Sequence, residues 1–159
     1  MAVHELFPYL CVADARAAIA FYRHVFDAVE TLRLVEPGGR IGHAEVKIGD
    51  ATLMLCEPFP EFGVRPPSAG AGHDVTLHLH VDDADAVLAH ALDAGATLAM
   101  PARDQFYGER SGVFVDPFGH RWNVGHSIEH VDAEEMQRRY TALCTDAQPQ
   151  RPSTSTTAA

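Results

Sequence analysis

The sequence predicts an α+β fold built from two copies of one β-α-β-β-β module, and three observations carry that prediction. Val12-Ala13-Asp14-Ala15 and Val81-Asp82-Asp83-Ala84 each open a helix-like run, with Asp14 and Asp83 lying 69 residues apart. Each opening follows a short apolar strand-like run, at 6–11 and at 75–80. Each helix-like run is then followed by two or three more β-patterned runs. One such module cannot bury its sheet face alone. The two must pack together, and the space between their sheets is where a ligand would go.

The elements follow in order. The first strand is expected over 6–12. The helix after it spans 14–26, with Asp14 as N-cap and Ile19, Tyr22, Val25 and Phe26 recurring at helical spacing. Strands are expected at 29–35, 42–48 and 51–56, joined by turn-forming sequences at 36–39 and 49–50. A Pro- and Gly-rich linker at 58–74 carries Phe59 and Phe62, which suggests that it packs over something. The second module repeats the pattern: a strand at 75–81, a helix at 83–94 ended by Gly95, and strands at 97–99, 112–115 and 121–124. Asp116-Pro117-Phe118-Gly119 reads as a turn. The expected organisation is a single domain over 1–131, with module one at 5–57 and module two at 75–131. A C-terminal helix at 132–146 and a polar, disordered tail at 147–159 complete it.

Composition limits the function. An apolar content of 47% and a charged content of 21% are ordinary for a globular protein. The N-terminus lacks the basic start and apolar stretch of a signal peptide, and no apolar run is long enough to span a membrane. A cytoplasmic protein without a membrane partner is expected. The net charge of −10 repels phosphate backbones and argues against nucleic acid. It suits either simple solubility or attraction of a cationic small molecule. Three widely spaced cysteines form no CxxC pair, which argues against a disulfide framework or a structural zinc knot. No nucleophilic elbow, phosphate loop or dinucleotide fingerprint is present.

The chain resembles the vicinal oxygen chelate superfamily of glyoxalases, bleomycin-resistance proteins and dioxygenases, most closely its PhnB-like branch. The residues that carry the likeness are Ala18-Ile19-Ala20-Phe21-Tyr22, Gly42-His43-Ala44-Glu45 followed by Gly49-Asp50-Ala51-Thr52-Leu53-Met54-Leu55, Leu77-His78-Leu79-His80-Val81-Asp82-Asp83, Gln105-Phe106-Tyr107-Gly108-Glu109-Arg110 and Asp116-Pro117-Phe118-Gly119-His120-Arg121-Trp122. The resemblance implies mixed sheets that curl around a cavity, and a homodimer. Metal-dependent members of that family place His, Gln or Glu on the first and last strands of each module. Here those positions fall on Phe7, Thr76 and Asn123, and on either Leu53 or Met54. None is a good divalent-metal ligand, so no metal or other cofactor is expected at the usual place.

Thr76, His78 and His80 share one face of their strand. His78 with His80, His43 or Glu57 is the alternative, displaced metal site; its competing reading is a pair of hydrogen-bonded polar groups. Phe7, Tyr9 and Cys11 share the first strand's face and either line a cavity or fill it. The loop at 105–110 is either a lid or a dimer contact. Arg110 either pairs with a ligand anion or forms a salt bridge with Glu109, Asp104 or Asp116. The expected ligand-binding residues are therefore Phe7, Tyr9, Thr76, His78, Tyr107, Arg110 and Asn123, with no catalytic residue assigned. The expected function is metal-free binding of a small organic ligand, aromatic or cationic, in the manner of bleomycin-resistance proteins. The alternative is a glyoxalase-like lyase or a dioxygenase using a divalent metal at a displaced site.

Overall fold

The computed structural model describes residues 1–68, 70 and 72–146. The first module runs β1 (Tyr9–Cys11), α1 (Ala15–Phe26), β2 (Val29–Val35), β3 (Ile41–Ile48) and β4 (Ala51–Cys56). The second runs β5 (Thr76–His80), α2 (Ala84–Asp93), β6 (Thr97–Asp104), β7 (Glu109–Val115) and β8 (Arg121–Ser127), and α3 (Ala133–Asp146) follows. The sheets have matching orders, β1-β4-β3-β2 and β5-β8-β7-β6. In each sheet the first strand lies parallel to the last and the other pairs are antiparallel. Neither sheet closes into a barrel.

The repeat extends to the helix starts. Asp14 and Asp83 both sit in extended backbone, and each carboxylate accepts from the N–H three residues on, at 2.9 and 3.0 Å. This satisfies one of the donors that a helix start leaves free. Helix α1 lies on β3 and α2 on its counterpart β7. The aromatic face of α1 also crosses to the second sheet: Tyr22 meets Trp122, and Phe26 meets Phe114 and Trp122. Both helices and the helix-facing side of both sheets share one apolar core.

Three differences from the sequence reading affect the site. β1 starts at Tyr9 rather than at residue 6, which leaves Phe7 outside the strand and half-exposed. Pro8 has no N–H to give the ladder, although its carbonyl still accepts from Met54 N at 2.9 Å. β6 runs on to Asp104, past Pro101, through two register shifts that an edge strand tolerates. Finally, β7 begins three residues earlier and β8 ends three residues later than expected, because they pair from Glu109↔Ser127 to Val115↔Arg121. This extension brings Glu109 into the sheet.

Helix α3 follows an Asp132 carboxylate that accepts from Glu135 N at 2.9 Å. It folds back on the β6–β7 loop, where Tyr140 packs on Phe106 and the Arg139 guanidinium donates to the Phe106 carbonyl. The tail expected at 147–159 lies outside the described residues.

Candidate functional site on the open sheet faces

Strand alternation gives each sheet two faces. One carries Leu10, Leu55, Val46, Trp122, Val124 and Phe114 into the core. The other stays open, and the Tyr9–His43–Glu45 and His78–His80–Glu109 clusters lie on it.

On the first sheet the register sets Tyr9 beside Met54, and Met54 beside Glu45. The Tyr9 hydroxyl and His43 Nδ1 are 2.8 Å apart, and His43 Nε2 is 3.1 Å from Glu45 Oε1. With Nε2 donating to the carboxylate, Nδ1 accepts from the phenol, so the three groups form one chain. Beside them Tyr9, Cys11 and Cys56 meet Phe59, Phe62 and Val64 around a cavity of about 310 Å³. The linker is held there by a Phe59↔Val64 bridge and by the Arg40 guanidinium, 4.0 Å above the Phe59 ring. The cavity is mainly apolar, within the size range of small-ligand pockets. Burial pushes the Cys11 thiol up to about 11, with the neighbouring Cys56 adding to it. Burial also raises Cys56 and the Tyr9 phenol. These groups are neutral near pH 7, so they suit ligand contact rather than nucleophilic attack. A wider groove of about 410 Å³ runs along edge strand β2 between Arg23 and Arg33, away from both polar clusters.

On the second sheet β8 lies between β5 and β7. His78 pairs with Asn123 and His80 with Gly125, while Ser111 faces Gly125 from the other side. Glu109 reaches across β8: its Oε1 is 2.7 Å from His80 Nε2, and its Oε2 is 3.6 Å from His78 Nε2. Gly125 permits this, since a Cβ there would lie 3.1 Å from Glu109 Oε2 and 3.4 Å from His78 Nε2. The Tyr107 hydroxyl and Ser111 Oγ are 3.2 Å apart, which ties the loop to this face.

The structure thus groups His78, Asn123 and, through Ser111, Tyr107 on the second sheet, and seats Tyr9 at the cavity of the first. Thr76 is the exposed first residue of β5, opposite Arg121. Phe7 stands apart from β1. Arg110 is not brought to the site. It lies on the helix side of β7, with its guanidinium held by Asp85 at 2.6 and 2.8 Å and by Asp104 at 2.9 Å. Two carboxylates hold it, and Asp104 is one of the salt-bridge partners that the sequence offered as the alternative to a ligand anion. The sequence reading missed Glu109 as a partner of the histidines.

The fold and the comparisons agree on the family. The model of the Glyoxalase/Bleomycin resistance protein/Dioxygenase superfamily matches residues 3–124, and the chain belongs to that superfamily. An uncharacterized protein of Mycobacterium bovis is 43% identical over 136 residues, covering 83% of this chain and 89% of that protein. Among solved structures, a gene product of Arabidopsis thaliana superposes with a TM-score of 0.64 at 25% identity, covering 77% of this chain and 98% of that one. TioX from Micromonospora sp. ML1 superposes with a TM-score of 0.61 at 24% identity, covering 79% and 99%.

The register also identifies the fourth corner of the family's usual metal position. Tyr9 pairs with Met54 as His78 pairs with Asn123, so the corner is Met54, while Leu53 is buried in the core. Phe7, Met54, Thr76 and Asn123 offer no imidazole and no carboxylate. That donor set does not fit a divalent ion.

Proposed function

We propose that the protein binds a small organic ligand, aromatic or cationic, on the open sheet faces, and that it does so without a metal at the family's usual position. The observation that carries this reading is the cavity of about 310 Å³ where Phe59, Phe62 and Val64 close over Tyr9, Cys11 and Cys56. Its apolar walls suit a ring, and the Tyr9–His43–Glu45 chain beside it offers a hydrogen bond and a negative charge. The net charge of −10 favours a cation. The PhnB-like branch and bleomycin-resistance-type sequestration are the finer assignment we favour, on the sequence motifs around Tyr22 and Trp122. A cytoplasmic protein fits this reading; among the described residues no helix is long and apolar enough to cross a membrane.

A homodimer belongs to the same proposal. Tyr9, Leu32 and Leu34 on the first open face are 53%, 40% and 55% exposed, and a second copy would cover them. Sizing of the full chain at micromolar concentration is expected to give the mass of two copies, and a clean monomer would contradict that part.

Ligand binding is tested with proflavine, a planar aromatic cation, followed by fluorescence polarisation. Saturable binding is expected, with Phe62→Ala weakening it about five-fold for the lost ring contact. Unsaturable binding, or equal affinity in the variant, would count against the cavity.

A further inference from the structure

We propose that His78, His80 and Glu109 form a binding site for a divalent transition-metal ion, displaced from the family's usual position. The site stands on its own geometry and does not depend on the organic-ligand reading above.

One nitrogen from each imidazole and one carboxylate oxygen all lie within 4.8 Å of one another. Two ligand atoms about 2.1 Å from a tetrahedral ion lie about 3.4 Å apart. The 3.6 Å between His78 Nε2 and Glu109 Oε2 is close to that spacing. Two imidazoles with one carboxylate suit zinc, cobalt, nickel or ferrous iron better than magnesium or calcium, which prefer all-oxygen sets. The two imidazole side chains are 40% and 62% exposed, so the remaining coordination positions face outward, toward water or a ligand.

A second observation concerns the acceptors at the same place. Glu109 Oε2 is buried and has no hydrogen-bond donor, and so is Oδ1 of Asn123, the strand neighbour of His78. Buried acceptors without donors are uncommon. The ion-pair partners of Glu109 are the two imidazoles alone among the described residues. An ion between Oε2 and His78 Nε2 supplies what the carboxylate lacks, with the 2.7 Å contact to His80 giving way to a third bond to the metal. Gly125 keeps the space clear, since any side chain there would crowd both Glu109 and His78.

The test uses the full chain without a His tag, stripped with a chelator and titrated with Co²⁺ and then Zn²⁺. Visible absorption and equilibrium dialysis are read together with far-UV circular dichroism. One Co²⁺ per chain is expected, displaced by Zn²⁺. His80→Ala and the isosteric Glu109→Gln should each weaken binding at least tenfold. Gly125→Val, which keeps all three ligands but fills their space, should do the same. The His24→Ala/His90→Ala double variant removes a second, unrelated histidine pair on the helices and should bind as wild type. Should His80→Ala fail to fold, Glu109→Gln carries the comparison. The proposal is overturned by the absence of stoichiometric Co²⁺ at ten-fold excess, by wild-type affinity in Glu109→Gln, or by loss of the ion in the His24/His90 variant instead.

Discussion

Asp116→Ala is expected to destabilise the folded chain by about 3–5 kcal/mol, from the buried donors it would strand. Asp116 is 4% exposed and its carboxylate accepts four hydrogen bonds. Oδ2 takes the Tyr22 hydroxyl at 2.7 Å and the Trp122 indole N–H at 2.9 Å. Oδ1 takes the N–H groups of Phe118 and His120 at 2.9 and 2.8 Å, which shapes the β7–β8 turn. Tyr22 comes from α1 of the first module and Trp122 from β8 of the second, so this residue joins the two halves. Burial, reinforced by the adjacent Asp116 carboxylate, holds the Tyr22 phenol well above its ordinary range, so it remains a donor throughout the range of stability measurements. Urea denaturation of wild type and variant checks the prediction. A fall in midpoint at unchanged slope is expected, whereas a loss under about 1 kcal/mol, the scale of an exposed pair, would mean that the modules are not joined there.

Gly108→Ala is expected to cost about 2–5 kcal/mol, combining a left-handed backbone with overpacking. Gly108 has φ +88°, and an added Cβ would collide with the Glu129 carbonyl oxygen and lie 2.8 Å from Val131 Cγ2. The Gly108 carbonyl accepts from the N–H groups of Ile128 and Glu129 at 2.9 and 3.1 Å, so the strand end cannot retreat without losing both bonds. The change should also loosen Tyr107 from Ser111 and expose the Glu109 end of β7. Thermal unfolding followed by circular dichroism is expected to show the loss, and an unchanged melting temperature would mean that the loop relaxes freely.

The parts of the fold legible in the sequence were those set by local chemistry. Asp14 and Asp83 announce helix starts because a carboxylate at that position caps the backbone by itself. The 2-residue period of Thr76, His78 and His80 put them on one face without knowledge of any partner strand. Glu109 was not legible as a site residue. The 105–110 segment reads as a loop, and its pairing with Ser127 and His126 is a property of β8 rather than of local sequence. The alternation that turns Arg110 toward Asp85 likewise depends on β7 starting at Glu109, which only its pairing with β8 sets. Phe7 reads as part of the first strand because it is apolar and in phase with Tyr9. Pro8 ended that strand, and the cavity floor moved to Tyr9, Cys11 and Cys56 with the linker aromatics as its wall.

If ligand binding takes place on the open sheet faces, it is seen by backbone-amide shift mapping of isotope-labelled protein titrated with proflavine. Saturable shifts concentrated at Tyr9, Cys11, Cys56, Phe59 and Phe62 are expected. Saturable shifts confined to the groove along β2 between Arg23 and Arg33, with those five amides unmoved, would contradict it.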